Sequence, residues 1–338
     1  MAAGTRFLIV GPSWVGDMVM AQALFKTLKH QEPESVIDVL APAWSVPVID
    51  RMPEVRRGIG LPTGHGEFAL GKRRALGHSL RAEGYDRALV LPRSFKSALV
   101  PWFAGVPSRT GFRGEMRFGL LNDIRPLDKS VLDQTVKRFV ALGLAADELP
   151  QVIPRPELTI DAGNQQRLIE SHNLSMSQPV VAMMPGASYG PAKCWPLEYY
   201  AELAERLVSE GVSVWVLGAS GDHAAGEQIA AGNDQIRNLC GETRLEDTVD
   251  LLALCKTAVT NDSGLMHVAA AAGIHVVAMY GSSTPAYTPA LTAKKSIHYL
   301  ELECSPCFKR ECPLGHLNCL NDISVDAVFR AVVQHSAI

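Results

Sequence analysis

Thr257-Ala-Val-Thr-Asn-Asp-Ser-Gly-Leu-Met-His-Val-Ala-Ala-Ala-Ala-Gly273 is the stretch that decides the fold. A short apolar run ends in an amide, an acid, a small hydroxyl residue and a glycine, then becomes a helix-forming run stopped by Gly273. That is a strand handing its C-terminal end to a helix N-terminus, the junction from which parallel α/β sheets are built. The first N–H groups of such a helix lack intrahelical partners and carry the positive end of the dipole. They can hold a phosphate, and Gly264 lets it come close. By itself the segment is equally consistent with Asp262 or Ser263 serving as an ordinary N-cap.

Working outward, strand and helix signals alternate. His275–Tyr280, Val180–Met184 and Val212–Leu217 read as strands, and 197–210, 222–231, 245–255 and 263–272 as helices. The first half repeats the pattern with strands at Phe7–Val10, Val36–Leu40 and Arg87–Leu91, and a helix pattern at Phe95–Phe103. Its glycine loop, Gly11-Pro-Ser-Trp-Val-Gly16, leads into a helix from Asp17 to about Lys29. A proline-rich stretch, Leu149–Pro156, and a polar one, Ser171–Pro179, separate the halves, and Ser324–His335 is a capped amphipathic helix. A chain of 338 residues fits two domains better than one. Two similar α/β halves with glycine loops at their strand ends place a ligand in the cleft between them.

Hydrophobic residues make up 47% and charged residues 20%, the balance of a globular protein with a sizeable core. No apolar stretch is long enough to span a bilayer, and Arg6–Val10 is too short for a signal-peptide core, so the expected location is cytoplasmic. The net charge of −3 is unevenly spread: between Lys72 and Arg125 eleven Lys and Arg face four Asp and Glu. Part of that excess belongs on solvated helix faces, and the remainder is suited to something anionic. The thin aromatic interleaving argues against single-stranded nucleic acid.

The first glycine loop is not a dinucleotide fingerprint, because the G-x-G-x-x-G spacing is absent and Asp38 sits inside the second strand. Nicotinamide chemistry is thereby disfavoured. What remains there is Asp17, either a helix-dipole acid or a carboxylate placed to accept a proton from a substrate hydroxyl. In the second half, Met184-Pro-Gly-Ala-Ser-Tyr-Gly-Pro-Ala-Lys-Cys-Trp-Pro196 puts Lys193 on a glycine-containing strand-end loop. That arrangement suits phosphate as a point charge. Leu217-Gly-Ala-Ser-Gly-Asp-His223 is a third such loop at the same sheet edge, with Asp222 placed to hold a ribose.

Pro12-Ser-Trp-Val-Gly-Asp17, Pro185-Gly186 with Lys193-Cys-Trp-Pro196, and Asn261-Asp-Ser-Gly-Leu-Met-His267 together resemble the ADP-heptose:lipopolysaccharide heptosyltransferases, glycosyltransferase family 9. Met52-Pro-Glu-Val55, Lys72–Leu80, Leu91–Pro101 and Arg109–Asn122 extend the resemblance over nearly the whole chain. It is closest to the members that add the second inner-core heptose.

The resemblance implies a GT-B fold, two Rossmann-like domains facing across a cleft. It places an acceptor-binding domain at 1–160, a linker at 161–178, a donor-binding domain at 179–322 and a final helix, 323–338, returning to the first domain. It implies inverting transfer of L-glycero-D-manno-heptose from ADP-heptose, a co-substrate, with no metal or other cofactor required. The acceptor would be heptosyl-Kdo2-lipid A, met at the cytoplasmic face of the inner membrane. Asp17 matches the catalytic base and Lys193 the residue that steadies the diphosphate. Gly186, Asp262, Ser263, Gly264, Leu265 and His267 match the donor site, with Asp222 and Thr243 toward adenosine. Lys72, Arg73, Arg93, Lys96, Arg109, Arg113 and Arg117 are the cations expected to meet an anionic acceptor. The alternatives are a heptosyltransferase acting on a different core acceptor, or a nucleotide-sugar-binding protein without turnover.

Cys304-x2-Cys307-x4-Cys312-x6-Cys319, with His316 nearby, has partial zinc-site spacing. These four cysteines are candidate ligands of a structural zinc or members of a reduced cysteine-rich loop, since a reducing cytosol disfavours disulfides. Cys194, Cys240 and Cys255 read as small hydrophobes or loop thiols.

Overall fold

Alternating apolar strands and amphipathic helices build two separate parallel sheets. The computed structural model describes residues 4–64 and 66–336, and the chain divides into Met1–Pro156 and Glu157–Ile338.

The first unit runs β1 (Arg6–Val10), α1 (Val15–Gln31), β2 (Val36–Pro42), α2 (Val46–Ile49), β3 (Arg57–Leu61), α3 (Leu70–Ser79), β4 (Arg87–Val90), α4 (Leu99–Phe103), β5 (Ser108–Phe112), β6 (Asp123–Arg125) and α5 (Thr135–Gly143). Its sheet order is β3-β2-β1-β4-β5-β6, every pairing parallel. The second unit runs α6 (Ala162–Ser171), β7 (Val180–Met184), α7 (Leu197–Ser209), β8 (Ser213–Val216), α8 (His223–Ala230), β9 (Ile236–Asn238), α9 (Leu245–Leu254), β10 (Thr257–Asn261), α10 (Gly264–Ala271), β11 (His275–Tyr280), β12 (Lys295–Tyr299), α11 (Asn318–Asn321) and α12 (Val325–Ser336). Its order, β12-β11-β10-β7-β8-β9, is the same doubly wound arrangement. In each unit the strand order reverses once, between β1 and β4 and between β7 and β10. The crevice above such a reversal is where doubly wound sheets bind ligands.

The central strands are the ones the sequence marks. Residues 7–10 of β1 and all of β7, β10 and β11 are buried, as strands covered on both faces by helices must be. Gly11 sits tightly under α1: a Cβ there would stand 2.5 Å from Met18 Cε, so the Met18 side chain would have to shift.

Two domain expectations need correction. The segment expected as a linker carries α6, whose N-cap Asp161 accepts from the N–H groups of Gly163 (2.9 Å) and Asn164 (3.1 Å). Asn164 Nδ2 ties it to Asp247 (2.9 Å) and Asp250 (2.7 Å) on α9. The final helix, expected in the first unit, packs in the second, against α7, β10 and β11. Its Val325, Val328 and Val332 complete a core with Trp195 and Leu320, and Arg206 on α7 bonds Asp326 at 2.7 Å. An apolar stripe goes where a matching core is open, which its own pattern does not specify.

Candidate functional site

At the reversal between β7 and β10, the first loop is stapled by one buried amide. Asn261, the last residue of β10, donates from Nδ2 to the Pro185 carbonyl at 2.6 Å. Its Oδ1 accepts from the Trp195 N–H at 2.9 Å and the Tyr200 hydroxyl at 3.3 Å. Trp195 is fully buried, its Nε1 donates to the Ile323 carbonyl at 3.0 Å, and its ring meets Tyr200 edge-on at 5.0 Å. Lys193 is therefore carried on a loop fixed at both ends.

The Lys193 ammonium lies on Oδ2 of Asp262, which also accepts from the Ser283 hydroxyl. Oδ1 accepts from the Thr288 hydroxyl at 3.3 Å, and the carboxylate is almost entirely buried. Asp262 is thus an acceptor hub that aims a lysine. The ammonium also stands 5.2 Å from the Tyr189 ring centroid, a cation–π contact shared with Arg310 at 5.6 Å.

The N-terminus of α10 opens beside this pair. Ser263 holds the N-cap position in extended geometry without capping the helix through its hydroxyl. Its Oγ is buried without a hydrogen-bond partner among the described residues, as are those of Thr243 and Ser282. A buried unpaired hydroxyl is costly unless a ligand or an ordered water completes it. Here three lie on loops after β9, β10 and β11, at the edge that carries the lysine. His267, one turn into α10, is buried. Burial and the nearby Lys193 charge push its pKa down to about 4 against the opposing pull of Asp262, so the ring is neutral near pH 7.

Asp222 enters the same edge between two glycines. A Cβ at Gly186 would lie 2.5 Å from its carboxylate, and one at Gly218 2.8 Å from Oδ2. Oδ2 accepts the Ala219 N–H at 2.9 Å. Gly241, at φ +78°, brings the loop carrying Thr243 down on Ser220, where a Cβ would stand 2.7 Å from Cα. The second unit thus gathers Gly186, Lys193, Asp222, Thr243, Asp262, Ser263, Gly264, Leu265 and His267 at or just behind one sheet edge.

In the first unit, Asp17 lies half-buried in the first turn of α1, at the reversal between β1 and β4. The basic residues separate into two groups. Arg73 is 5% exposed and donates to the Phe68 (2.8 Å), Glu67 (3.3 Å) and Lys96 (3.5 Å) carbonyls. Arg117, 2% exposed, donates to the Pro92 (2.7 Å) and Phe112 (2.6 Å) carbonyls, and burial pushes its pKa down to about 10. Arg109 spends its guanidinium on the Leu120 (2.6 Å) and Val106 (2.5 Å) carbonyls. These three were expected to meet the acceptor and are instead struts between loops, because a guanidinium's fan of donors is what bare loop carbonyls require. Lys72, Arg93 and Arg113 are exposed and Lys96 half-buried, with Lys72 paired to Glu67 at 3.4 Å.

From the sequence, Asn261, Tyr189, Ser282, Ser283 and Thr288 carried no site role. A signal existed for the last three: Gly281-Ser-Ser-Thr-Pro285 follows the strand at 275–280 as another small-residue strand-end loop. Cys304, Cys307, Cys312 and Cys319 line one small cavity with Ala192 and Ser282 as free thiols. Among the described residues no group of three or more His, Cys, Asp or Glu side chains stands as a metal-ligand set.

A family model described as "Glycosyltransferase family 9 (heptosyltransferase)" matches residues 73–318. The chain is 52% identical to lipopolysaccharide heptosyltransferase 2 of Salmonella typhimurium over 303 residues, 86% of this chain and 87% of that one. It superposes on the structure of E. coli ADP-heptose lps heptosyltransferase II with a TM-score of 0.88 at 44% identity, covering 98% of this chain and 99% of that one. E. coli heptosyltransferase WaaC with ADP shares the fold, with a TM-score of 0.74 at 20% identity over 98% and 100% of the two chains. With both sheets doubly wound, the strand-end loops converging and these likenesses spanning most of the chain, the protein belongs to glycosyltransferase family 9, the heptosyltransferases.

Proposed function

We propose that this chain transfers L-glycero-D-manno-heptose from ADP-heptose to the first heptose of heptosyl-Kdo2-lipid A, with inversion and without a metal. The observation that carries the reading is the Lys193–Asp262 pair beside the uncapped N-terminus of α10 at the β7/β10 reversal. A diphosphate there meets one aimed ammonium, the first N–H groups of α10 and the unpaired hydroxyls of Ser263 and Ser282. Thr243 and Asp222, on the loops after β9 and β8, are the residues assigned to the adenosine in this reading.

In the transfer, an acceptor hydroxyl oxygen bonds to the anomeric carbon from the face opposite the diphosphate. The bond from that carbon to the phosphate oxygen breaks, and ADP leaves with the electron pair. Asp17 takes the hydroxyl proton as general base. Charge growing on the leaving diphosphate is met by donors already in place, which lowers the barrier without reorganisation. Lys72, Arg93, Lys96 and Arg113 attract the phosphates and carboxylates of the acceptor. The enzyme works in the cytoplasm, peripheral to the inner membrane. In keeping with that reading, no helix among the described residues is long and apolar enough to cross a membrane.

The test is ADP release from ADP-L-glycero-D-manno-heptose with Kdo2-lipid A acceptors that carry or lack the first heptose. Release with the heptosylated acceptor alone is expected. Release with the unheptosylated one alone reassigns the step to the first transfer. Donor binding without release from either makes the chain a nucleotide-sugar-binding protein.

A further inference from the structure

We propose that the first unit docks on an anionic lipid bilayer through Phe68, Leu70, Met116 and Phe118. All four are exposed large apolar side chains, Met116 to 81% and Phe118 to 66%. Phe68 lies in the loop after β3 and Leu70 opens α3, while Met116 and Phe118 lie in the loop after β5, at the sheet edge that carries Asp17.

The two loops are tied to each other through Arg93 and Phe95 of the segment after β4. Phe68 stacks on Phe95 with centroids 6.4 Å apart, and the Phe95 N–H donates to Glu115 Oε2 at 2.6 Å. The Glu115 N–H donates to the Arg93 carbonyl at 3.2 Å. Gly114 permits that approach, since a Cβ there would stand 2.3 Å from the Arg93 carbonyl oxygen. Arg73 and Arg117 brace the loops from beneath, so the apolar tips stand on a firm base.

Single exposed apolar side chains are ordinary, whereas several presented together on tethered segments mark a contact surface. Charge selects the partner. Lys72, Arg93, Lys96 and Arg113 border the group. These four cations face two carboxylates, Glu67, which pairs with Lys72 (3.4 Å), and Glu115, which accepts from the Phe95 N–H (2.6 Å), so the border keeps a positive excess. Apolar tips ringed by cations match acyl chains beneath anionic headgroups. The surface extends the reading of a lipid-linked acceptor and rests on side chains outside the donor site and apart from Asp17.

The test is vesicle flotation of the full chain with phosphatidylcholine, with and without phosphatidylglycerol, comparing the parent with a Met116→Asp, Phe118→Asp double variant. The parent should float with the anionic vesicles and remain unbound with the neutral ones. Losing two inserted side chains should weaken anionic binding by about tenfold or more. Calorimetric ADP-heptose binding should be equal in both, which separates this test from the donor-site reading. Equal flotation of parent and variant overturns the proposal. So does a parent that ignores both vesicles and self-associates through a contact the variant loses.

Discussion

Lys193 and Asp262, 69 residues apart, meet as an ion pair because β10 delivers the acid and a loop stapled by Asn261 delivers the base. Asp262 satisfies its second oxygen with Thr288, so the ammonium is oriented as well as paired.

Replacing Lys193 with Met removes the charge aimed at the leaving diphosphate. The rate constant kcat should fall by about 10²–10³, as for loss of one preorganised donor. Lys193→Arg should recover only part, because a planar fork does not occupy the place of a point charge. Steady-state ADP release checks both, and an unchanged kcat for Lys193→Met removes the residue from the mechanism.

Asp17→Asn keeps the shape of the side chain and deletes its basicity. Turnover should drop by roughly 10²–10⁴ while calorimetric ADP affinity stays within about twofold. A variant that turns over like the parent assigns Asp17 to the helix dipole instead.

Arg117 and Arg113, four residues apart, should behave oppositely. Arg117→Met strips donors from the Pro92 and Phe112 carbonyls and should cost about 2–4 kcal/mol, read by denaturant unfolding. Arg113→Met leaves an exposed position, so stability should hold while KM for the anionic acceptor rises. A stability loss at Arg113 equal to that at Arg117 would contradict the division of the arginines into struts and exposed cations.

Acidification should destabilise the fold through its buried histidines. His267 and His275 have pKa values pushed down to about 4 by burial, against about 6.5 in the unfolded chain. Below about pH 6.5 the unfolded state binds protons that the folded state refuses, so stability falls as pH drops toward about 4. For fully buried His267 the loss approaches about 3 kcal/mol. Denaturant midpoints between about pH 7.5 and pH 5 should decline, and less steeply in His267→Gln. Identical slopes in parent and variant would place the titration elsewhere.

Local chemistry made much of this protein legible in its sequence. Apolar runs ending in small residues mark β1, β7, β10 and β11, because a strand buried on both faces needs an unbroken apolar run and its exit needs a glycine or a cap. The edge strands β3, β6, β9 and β12 gave no such signal. Arg57-Gly-Ile-Gly-Leu61 and Ile236-Arg-Asn238 are strands only because a neighbour's backbone offers partners along their length.

The sequence by itself determined the strand-to-helix junctions, the lysine and acid they carry, and the family resemblance, all of them contiguous patterns. Only the tertiary structure decided which arginines are struts, that Ser283 and Thr288 complete the hub at Asp262, and that the last helix closes the second core. Each depends on a partner distant in the chain, and a hydrogen bond or an apolar contact is specified only when both of its ends are in place.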